Sequence, residues 1–425
     1  MTYKHLYSNL FSYELYVGLC LLFMIIYSGF YFLLAIYIER INPGKFGIPK
    51  KWNYLFKCLS IKSKNEEFYE NNNNNNQWIE LNSINQMNNP LIKISNLTKK
   101  YKDFIAISNL SLNFYQGEVC SLLGHNGAGK TTITFLLVGM LQSTSGSITI
   151  DGLDNFISNE KIRKILGFCS QYDILYNELS IEEHLKLIGK MRSMNSIILK
   201  ESIEKILHLI NLNDDRHTLS KNLSGGMKRR LSLGISLIGD PKILIFDEPT
   251  TGIDPYNRHL IWNIIQKMKE EGKCIILTTH FLEEADILSD RIAFITNGHL
   301  QAYGTPSFLK NQIEFEYRFF IEKNEKYKNE FITRFIQQHI PDITLERESS
   351  AEMIFAIKRN NSKQIHRLIS ELDKRKLNIG IENYGLSTIT IEDVFLKLIC
   401  ENQENPILCN QLKINQSMTV FRDKI

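Results

Sequence analysis

Residues 124–131 form a glycine-rich run that ends in lysine and threonine, Gly-His-Asn-Gly-Ala-Gly-Lys-Thr. The run follows an apolar strand predicted at 118–123 and precedes a helical pattern at 132–141. Glycines let backbone N–H groups turn toward a phosphate, and the N-terminus of a helix adds positive potential. Lys130 would contact the β- and γ-phosphates, and the Thr131 hydroxyl would bind Mg²⁺. The run predicts a nucleoside triphosphate site made of Gly124, His125, Asn126, Gly127, Ala128, Gly129, Lys130, Thr131 and Thr132.

A second set of candidate residues follows the apolar run at 243–246, which ends in Asp247 and Glu248. A fully buried strand delivers its last side chains to the carboxyl edge of a sheet, beside the phosphate loop. We therefore expect Asp247 to hold Mg²⁺ and Glu248 to polarise the water that attacks the γ-phosphate. The alternative is a strand that is merely capped by acidic residues before the turn at Pro249. The phosphate loop upstream argues against that alternative.

His280 and Gln171 are the remaining candidates for the hydrolytic site. His280 follows a predicted strand at 274–279, where an imidazole would donate to the γ-phosphate or orient Glu248. Gln171 follows a strand-like run at 167–170, and its amide would contact both Mg²⁺ and the attacking water. Taken alone, a histidine is more often structural and a glutamine is unremarkable, so both assignments depend on the phosphate loop.

Residues 223–227, Leu-Ser-Gly-Gly-Met, precede a helical pattern and resemble the signature motif of ATP-binding-cassette (ABC) proteins. The order of motifs is also similar to that family: the phosphate loop, Gln171, the signature, Asp247-Glu248, Thr-Gly-Ile-Asp-Pro at 251–255, and His280. The resemblance covers about residues 91–309. It implies that ATP and Mg²⁺ are bound, and ATP hydrolysed, by a head-to-tail dimer of two cassettes with two ATP molecules between them.

In such a dimer, the resemblance implies that Ser224 and Gly226, in the turn Ser224-Gly225-Gly226, reach the γ-phosphate bound to the other cassette. Elementary physics agrees, because serine and glycine at a helix start form an anion site, and the chain already has one at its phosphate loop. Tyr101, in Lys-Lys-Tyr-Lys-Asp, resembles the aromatic residue of the family that stacks on adenine. The alternative for Tyr101 is a plain surface tyrosine.

More narrowly, the chain resembles subfamily A of the ABC transporters on three segments. These are Tyr-Ile-Glu at 37–39 with Pro-Gly-Lys-Phe-Gly-Ile-Pro at 43–49, Leu-Ser-Gly-Gly-Met-Lys-Arg-Arg-Leu at 223–231, and Ile-Glu-Asp-Val-Phe-Leu-Lys at 391–397. This resemblance implies ATP-driven transport, with lipids as substrates. Two features depart from the family. Ser170 precedes Gln171 where the family has proline, and only one candidate membrane span is present where a transporter half has several.

Residues 16–38 carry no charged side chain and are rich in Leu, Ile, Phe and Tyr. The run exceeds the ~20 residues that cross a bilayer as a helix. A buried core helix or a signal peptide is the alternative, although a signal peptide has a shorter apolar region and a cleavage site. Several basic residues follow the run between 40 and 64, whereas only Lys4 precedes it. We therefore expect a single-pass membrane protein whose cassette is cytoplasmic.

The chain divides into five parts by composition and pattern. Residues 1–40 hold the predicted transmembrane helix, and residues 41–90 hold a basic segment and an Asn-rich linker. Residues 91–310 alternate strands and helices, which predicts an α/β P-loop cassette with buried parallel strands and a helical subdomain. Residues 311–398 show the pattern strand, helix, strand, strand, helix, strand, which predicts a small ferredoxin-like α+β regulatory domain. Residues 399–425 form a tail.

The bulk composition narrows the class of protein. The chain has 425 residues, of which 43% are hydrophobic and 23% are charged, as in ordinary globular proteins. A formal net charge of +4 is too small to make nucleic acid the expected partner. The seven cysteines are dispersed without a C-x-x-C pair, which predicts free thiols and no cysteine metal site.

Three functions remain open from the sequence. The first is ATP hydrolysis that drives transport across a lipid bilayer, in which a partner transporter half or a longer polypeptide supplies further spans, since one helix cannot enclose a polar pathway. The second is a truncated, single-span regulatory ABC subunit that binds ATP but has no transport pathway of its own. The third is a soluble, non-transport ABC ATPase, which the apolar run and the weak net charge oppose.

Overall fold

The computed structural model describes residues 22–38, 78–80, 89–102, 104–155, 158–313, 315–323, 329–349, 352–358, 362–379 and 381–402. Residues 22–38 form helix α1, which carries no charged residue and is exposed along nearly its whole length. Within these ranges, no helix has both the length and the apolar character that crossing a membrane requires. The predicted span at 16–38 is described only from residue 22 onward, and the Asn run and the tail beyond residue 402 lie outside the described residues.

Strands and helices follow one another from residue 78 to residue 311, and a short 3₁₀ turn, Ser220–Asn222, lies before the helix at Gly225–Leu237. In chain order the elements are β1 Trp78–Ile79, β2 Ile92–Tyr101, β3 Phe104–Phe114, β4 Val119–Leu123, α2 Lys130–Leu137, β5 Ser145–Ile150, β6 Leu153–Asp154, α3 Asn159–Ile165, β7 Leu166–Cys169, α4 Ile181–Met191, α5 Ser196–Leu209, α6 Gly225–Leu237, β8 Ile243–Asp247, α7 Pro255–Glu270, β9 Cys274–Thr279, α8 Leu282–Leu288, β10 Arg291–Thr296, β11 His299–Gly304 and α9 Pro306–Asn311.

A seven-stranded sheet in the order β1-β11-β10-β4-β9-β8-β7 forms the centre of this region. The five strands from β10 to β7 are parallel to one another, and β11 runs antiparallel to β10. Every residue of β4, β8 and β9 is buried, which explains why their sequences are almost continuously apolar. The α/β cassette with buried parallel strands is therefore confirmed, and the carboxyl ends of β4, β9, β8 and β7 meet at one edge.

A second sheet is antiparallel and has the strand order β3-β2-β5-β6. Strands β2 and β3 precede the phosphate loop in the chain, and β5 and β6 follow it. Its alternating buried residues, such as Ile92 and Ile94 on β2, form an apolar face. Tyr101 lies at the carboxyl end of β2 and pairs with Phe104, the first residue of β3. The hairpin between these two strands therefore places Tyr101 at the exposed end of this sheet.

Helices α4, α5 and α6 pack together beside the central sheet and form the predicted helical subdomain. Ser180 begins α4 with a capping box, in which its hydroxyl accepts from the Glu183 N–H and the Glu183 carboxylate accepts from the Ser180 N–H. Leu185 of α4, Leu207 of α5 and Leu231 of α6 are fully buried in one apolar cluster that also contains Phe246 of β8 and other strand residues. Packing in this cluster therefore joins α6 to the neighbouring helices and to the sheet.

The C-terminal region contains β12 Phe315–Lys323, α10 Asn329–His339, β13 Thr344–Glu348, β14 Glu352–Lys358, α11 Ser362–Ile379, β15 Ile381–Thr388 and α12 Ile391–Asn402. Its sheet has the order β13-β14-β12-β15, with antiparallel neighbours, and this confirms the predicted ferredoxin-like arrangement. Buried residues of β12 and β14 share an apolar cluster with residues of α10 and α11. Helix α12 instead packs Val394 and Leu398 into a cluster with Phe294 and Ala302 of the cassette sheet.

The segment around Trp78 differs from the expected linker, because β1 pairs in parallel with β11. The Glu80 carboxylate accepts from the Thr305 N–H at 2.7 Å, and the Lys397 ammonium lies 5.0 Å from the centre of the Trp78 ring. The edge of β11 otherwise has backbone N–H and C=O groups without a strand partner, and β1 supplies that partner. The polar composition around residue 78 gives no local sign of this pairing.

Among the cysteines that the structure describes, three agree with the sequence expectation and one disagrees. Cys120, Cys169 and Cys274 are free and buried. Burial is the main reason that the pKa of the thiol rises to about 11 at Cys169 and to about 12 at Cys274. Cys400 is disulfide-bonded, so the expectation of free thiols throughout the chain is wrong there.

Candidate functional site

The phosphate loop connects β4 to α2 and depends on glycine at several positions. Gly127 and Gly129 have φ angles of 83° and 106°, which side chains with a Cβ atom rarely adopt. A Cβ atom at Gly124 would lie 2.3 Å from the Ile295 carbonyl oxygen, and one at Gly129 would lie 2.8 Å from the Ala106 oxygen. His125, Asn126 and Gly127 are exposed at the tip, and Thr132 is half-buried in the first turn of α2. The sequence-predicted loop residues thus form one turn that leads into a helix N-terminus.

Lys130 is the first residue of α2, and only 5% of it is exposed. Its ammonium donates to the backbone oxygens of Gly124 at 2.6 Å and His125 at 3.1 Å, and lies 3.9 Å from Oε1 of Glu248. Burial is the main reason that the pKa of Lys130 is lowered, and the nearby carboxylates of Glu248 and Asp247 oppose that effect. The loop therefore encloses a positive charge directly beside a carboxylate.

Asp247 ends β8 and is almost completely buried, with 1% exposed. Its Oδ1 atom accepts from the Thr278 hydroxyl at 2.5 Å, whereas Oδ2 is a buried oxygen without a hydrogen-bond partner within the described residues. Burial raises the pKa of the Asp247 carboxyl group, although contacts with the hydroxyls of Thr278 and Thr131 partly oppose that rise. A buried carboxylate with one unpaired oxygen costs free energy unless a cation or donor compensates it.

The oxygen atoms at and around Asp247 fit a magnesium ion. Mg²⁺ prefers oxygen ligands, keeps several waters, and is bound by one or two carboxylates together with substrate phosphates. The unpaired Oδ2 atom and the oxygen of the neighbouring Thr131 hydroxyl are oxygen ligands of this kind. In the described part of the chain, no cluster of three or more histidine, cysteine or acidic residues is arranged to hold a metal. Two protein oxygen atoms, with phosphates and waters as the other ligands, would match a magnesium–nucleotide site.

Glu248 follows Asp247 and has an unusual backbone, with φ at 46°. Its N–H lies within hydrogen-bond distance of the Thr278 hydroxyl (2.9 Å) and carbonyl (3.1 Å), and these contacts hold it in the left-handed region. Its Oε2 atom accepts from Gln171 Nε2 at 3.2 Å and from the Thr251 hydroxyl at 3.1 Å, and lies 3.3 Å from His280 Nδ1. Only 8% of Glu248 is exposed. The structure thus brings Glu248, Gln171 and His280 together, and sequence reasoning pointed to all three.

The His280 ring also has an apolar contact, since its centre lies 4.2 Å from that of the Phe281 ring. The guanidinium of Arg258, on helix α7, lies 4.6 Å from the centre of the Phe281 ring. About a third of the His280 side chain is exposed, so one edge of the imidazole remains accessible. The ring therefore packs against Phe281 while its Nδ1 atom lies beside Glu248.

The signature turn lies at the start of α6 and is separate from this cluster. The Ser224 hydroxyl caps the helix by accepting from the Met227 N–H at 3.3 Å. Ser224 and Gly225 are exposed, whereas Gly226 is buried, and a Cβ atom there would lie 2.5 Å from Nδ2 of Asn257. Among the described residues, no hydrogen bond joins the signature turn to the phosphate loop. An exposed helix N-terminus with a serine and two glycines is able to bind an anion that comes from outside the chain.

Tyr101 is 42% exposed, and the Lys99 ammonium lies 5.0 Å from the centre of its ring. An exposed aromatic face with a cation beside it is able to stack on a planar base. The role of Tyr101 in binding adenine therefore stays a prediction that its exposure permits.

Thr278 and Thr251 complete the surroundings of the two carboxylates, and the sequence did not single them out as functional. Thr278 contacts both Asp247 and Glu248 from the neighbouring strand β9, and Thr251 contacts Glu248 from the following turn. The available signal was positional, because Thr278 lies near the carboxyl end of a strand predicted to be parallel to β8.

Comparison with known proteins identifies two regions of the chain. Residues 107–251 match the family "ABC transporter", and residues 317–391 match the family "ACT-like domain". "Phospholipid-transporting ATPase ABCA3" of Homo sapiens is 36% identical over 392 residues, which cover 90% of this chain and 23% of that protein. "Cholesterol transporter ABCA5" of Homo sapiens is 34% identical over 409 residues, which cover 93% of this chain and 25% of that protein. The chain thus spans about a quarter of the length of these relatives.

A similarity to solved structures covers the cassette alone. A chain described as "Structure of ATP binding subunit of ABC transporter" is 26% identical, with a TM-score of 0.49, and the match covers 52% of this chain and 92% of that one.

Proposed function

We propose that this chain, which carries a domain of the ABC transporter family similar to that of subfamily A, binds ATP with Mg²⁺ at its own site and hydrolyses it. The observation that carries the proposal is the cluster around Glu248. Its Oε2 atom lies within 3.3 Å of Gln171, Thr251 and His280, while Lys130 lies 3.9 Å from Oε1. A buried carboxylate with oriented donors beside a phosphate loop is the arrangement that water activation requires.

In the proposed reaction, the loop N–H groups and Lys130 bind the β- and γ-phosphates, while Thr131 and Asp247 hold the metal. Magnesium, when bound, neutralises charge on the phosphate oxygens. Glu248 accepts a proton from the attacking water, and Gln171 orients the Glu248 carboxylate through the hydrogen bond at 3.2 Å. His280 lies beside the same carboxylate and supplies an N–H donor to the γ-phosphate. These residue roles are proposals that the geometry supports.

We also propose that a second cassette completes the site. The signature turn is exposed, and within the described residues no hydrogen bond joins it to the phosphate loop of the same chain, which supports its use as a site for an anion from elsewhere. A nucleotide bound to another cassette, in the same chain type or in a partner, would supply that anion. Ser224 and the two glycines that follow it, Gly225 and Gly226, would then contact the γ-phosphate held by the other cassette. Each catalytic unit would thus need two chains.

At the level of the whole protein, we propose that ATP hydrolysis drives the movement of lipids across a membrane. The relatives support this proposal, because one is described as a phospholipid-transporting ATPase and another as a cholesterol transporter. We propose that the apolar run at 16–38 is a membrane-spanning helix, with the cassette on the cytoplasmic side. Further spans, from a partner half or a longer polypeptide, would line the pathway together with it.

The test of the proposed reaction is phosphate release from Mg·ATP by the full chain in detergent. We expect wild-type protein to release phosphate and Glu248→Gln to lower turnover about 100-fold or more while retaining bound ATP. Glu283→Gln is the control, since Glu283 is an exposed carboxylate on α8. Turnover in Glu248→Gln equal to that of wild type would remove Glu248 from the role of general base.

A further inference from the structure

Arg229 lies in the second turn of α6, the helix that begins at the signature turn. Only 2% of Arg229 is exposed, and its guanidinium points into the space between two loops of the hydrolytic site. A buried guanidinium is costly unless its donors are paired, and each of its three nitrogens has at least one acceptor. The identity of those acceptors indicates what this residue does.

One side of the guanidinium binds the loop that carries Gln171. Its Nη1 atom donates to the backbone oxygen of Ser170 at 2.6 Å and of Gln171 at 3.1 Å. The same atom lies 3.2 Å from Oδ1 of Asp173, in an ion pair of which the carboxylate is a quarter exposed. Arg229 therefore fixes the backbone on both sides of the Gln171 side chain that donates to Glu248.

The other side binds the end of β8 and the turn after it. The Nη2 atom donates to the backbone oxygens of Asp247 at 3.1 Å and Glu248 at 2.8 Å, and Nε donates to the Pro249 oxygen at 2.7 Å. Asp247 is proposed to hold the metal, and Glu248 is proposed to activate water. One planar side chain thus spans the gap between the two segments whose side chains meet at Glu248.

We propose that Arg229 is a positioning residue that makes turnover depend on the placement of the signature helix. The proposal rests on the proposed function, in which the start of α6 contacts a nucleotide on a second cassette. Arg229 is on that same helix, so a shift of α6 moves the guanidinium, and with it the backbone at Gln171 and Glu248. Contact at the signature turn would in this way set the geometry of the chain's own hydrolytic site.

The chemistry of the contact requires arginine. A guanidinium presents five N–H donors in a rigid plane and reaches acceptors on two sides at once. A lysine ammonium at the same place is a single point and reaches one loop or the other. Lysine would therefore preserve the charge, and yet it would lose the connection between the two loops.

The adjacent Arg230 provides a matched control. It is also buried in α6, with 8% exposed, but its Nη1 atom donates to the backbone oxygens of Ile210 and Asn211 at 2.8 and 2.9 Å. Those acceptors follow α5 and lie outside the hydrolytic cluster. Arg229→Met and Arg230→Met remove the same group from the same helix. A difference in kcat between the two variants therefore reflects the position of the guanidinium and not a general loss of stability.

The experiment measures kcat and KM for Mg·ATP in the full chain, normalised to the folded fraction from a melting curve. We expect Arg229→Met and Arg229→Lys each to lower kcat about 10- to 100-fold with KM changed less than about threefold, because the loops move while the phosphate loop does not. Arg230→Met should keep kcat within about twofold of wild type. Wild-type kcat in Arg229→Met, or an equal loss in Arg230→Met, overturns the inference.

Asp173→Ala gives a second measurement if Arg229→Met does not fold. Because it removes one acceptor and leaves the backbone contacts of Arg229, we expect a smaller loss of kcat. In the double variant with Arg229→Lys, the two losses should not add, since both act through one contact. Strict additivity would contradict the inference. A wild-type protein that does not hydrolyse ATP would overturn the proposed function as well, whereas normal wild-type turnover with an unaffected Arg229→Lys overturns this inference alone.

Discussion

The Nε2 atom of Gln171 donates a hydrogen bond to Oε2 of Glu248 at 3.2 Å, although the two residues are 77 positions apart in the chain. Gln171 lies on an irregular loop after β7, whereas Glu248 directly follows the last residue of the buried strand β8. The contact therefore joins a loop residue to a carboxylate at the end of a buried strand. A change in that loop would alter the orientation of the proposed general base without altering the phosphate loop.

Replacement of Gln171 by leucine should lower the rate of ATP hydrolysis about 10- to 100-fold, because the variant loses the donor that orients Glu248. Binding of ATP should change little, since the phosphate loop is untouched. Parallel assays of phosphate release and nucleotide binding check this expectation. Tyr172→Phe is the control on the same loop, as the Tyr172 ring is mostly exposed. Equal turnover in wild type and Gln171→Leu would show that the hydrogen bond has no role in the reaction.

The unpaired Oδ2 atom of Asp247 predicts a specific dependence on magnesium. Chelation of Mg²⁺ should stop ATP hydrolysis, and Asp247→Asn should raise the Mg²⁺ concentration needed for half-maximal turnover about tenfold or more, because it removes a charged oxygen ligand. A titration of phosphate release against Mg²⁺ measures this concentration. Asp151→Asn is the control, since Asp151 is an exposed turn residue that pairs with Lys242. A titration curve that is identical for Asp247→Asn and wild type would exclude Asp247 as a ligand.

The glycines of the phosphate loop predict a stability effect that is independent of catalysis. Gly124→Ala places a methyl group 2.3 Å from the backbone oxygen of Ile295, so the loop or β10 must shift. We expect a loss of about 1–3 kcal/mol in the free energy of unfolding. Gly225→Ala is the control, because nothing lies within 4 Å of its added methyl group. Chemical denaturation of both variants makes the comparison, and equal stability of the two would contradict the close approach at Gly124.

Glu284 predicts a dependence of stability on pH. It is completely buried and accepts from Trp262 Nε1 at 3.0 Å, and burial is the main reason that the pKa of its carboxyl group is raised. The folded protein therefore holds this proton more tightly than the unfolded chain does. The corresponding stability is complete below the ordinary carboxyl pKa and is lost as the pH rises through the raised value.

Glu284→Gln removes this ionisation and keeps an oxygen acceptor for Trp262. We therefore expect the variant to have a higher Tm than wild type at about pH 8 and a similar Tm at about pH 4. Calorimetry across that range is the measurement, and Glu283→Gln, on the exposed side of α8, should not change the dependence. A variant that is less stable than wild type at the higher pH would show that the carboxylate is stabilising there.

Local sequence patterns predicted the elements whose signals are themselves local. The phosphate loop lies between a strand and a helix that are adjacent in the chain, so residues 118–141 contain the whole pattern. The buried strands were recognisable because parallel strands covered on both faces are continuously apolar. The small C-terminal domain was recognisable because its helices and strands alternate with short connections.

Local sequence patterns did not predict contacts between distant segments of the chain. Thr278 is 31 positions from Asp247, and Glu80 is 225 positions from Thr305. Arg229 was visible only as part of a motif, because its role depends on the backbone oxygens of two loops that come together after folding. Sequence shows which side chains are present, whereas backbone acceptors have no residue type to identify them.

We propose that the loop around Lys130 binds the phosphates of ATP. The direct test is equilibrium binding of ATP, with Mg²⁺ present, to full-length wild type, Lys130→Ala and the exposed control Lys190→Ala. Since a charged hydrogen bond is worth about 1.5–3 kcal/mol, we expect Lys130→Ala to weaken binding about 10- to 100-fold, with Lys190→Ala matching wild type. Equal affinity in wild type and Lys130→Ala, or no measurable affinity in wild type, would contradict the account.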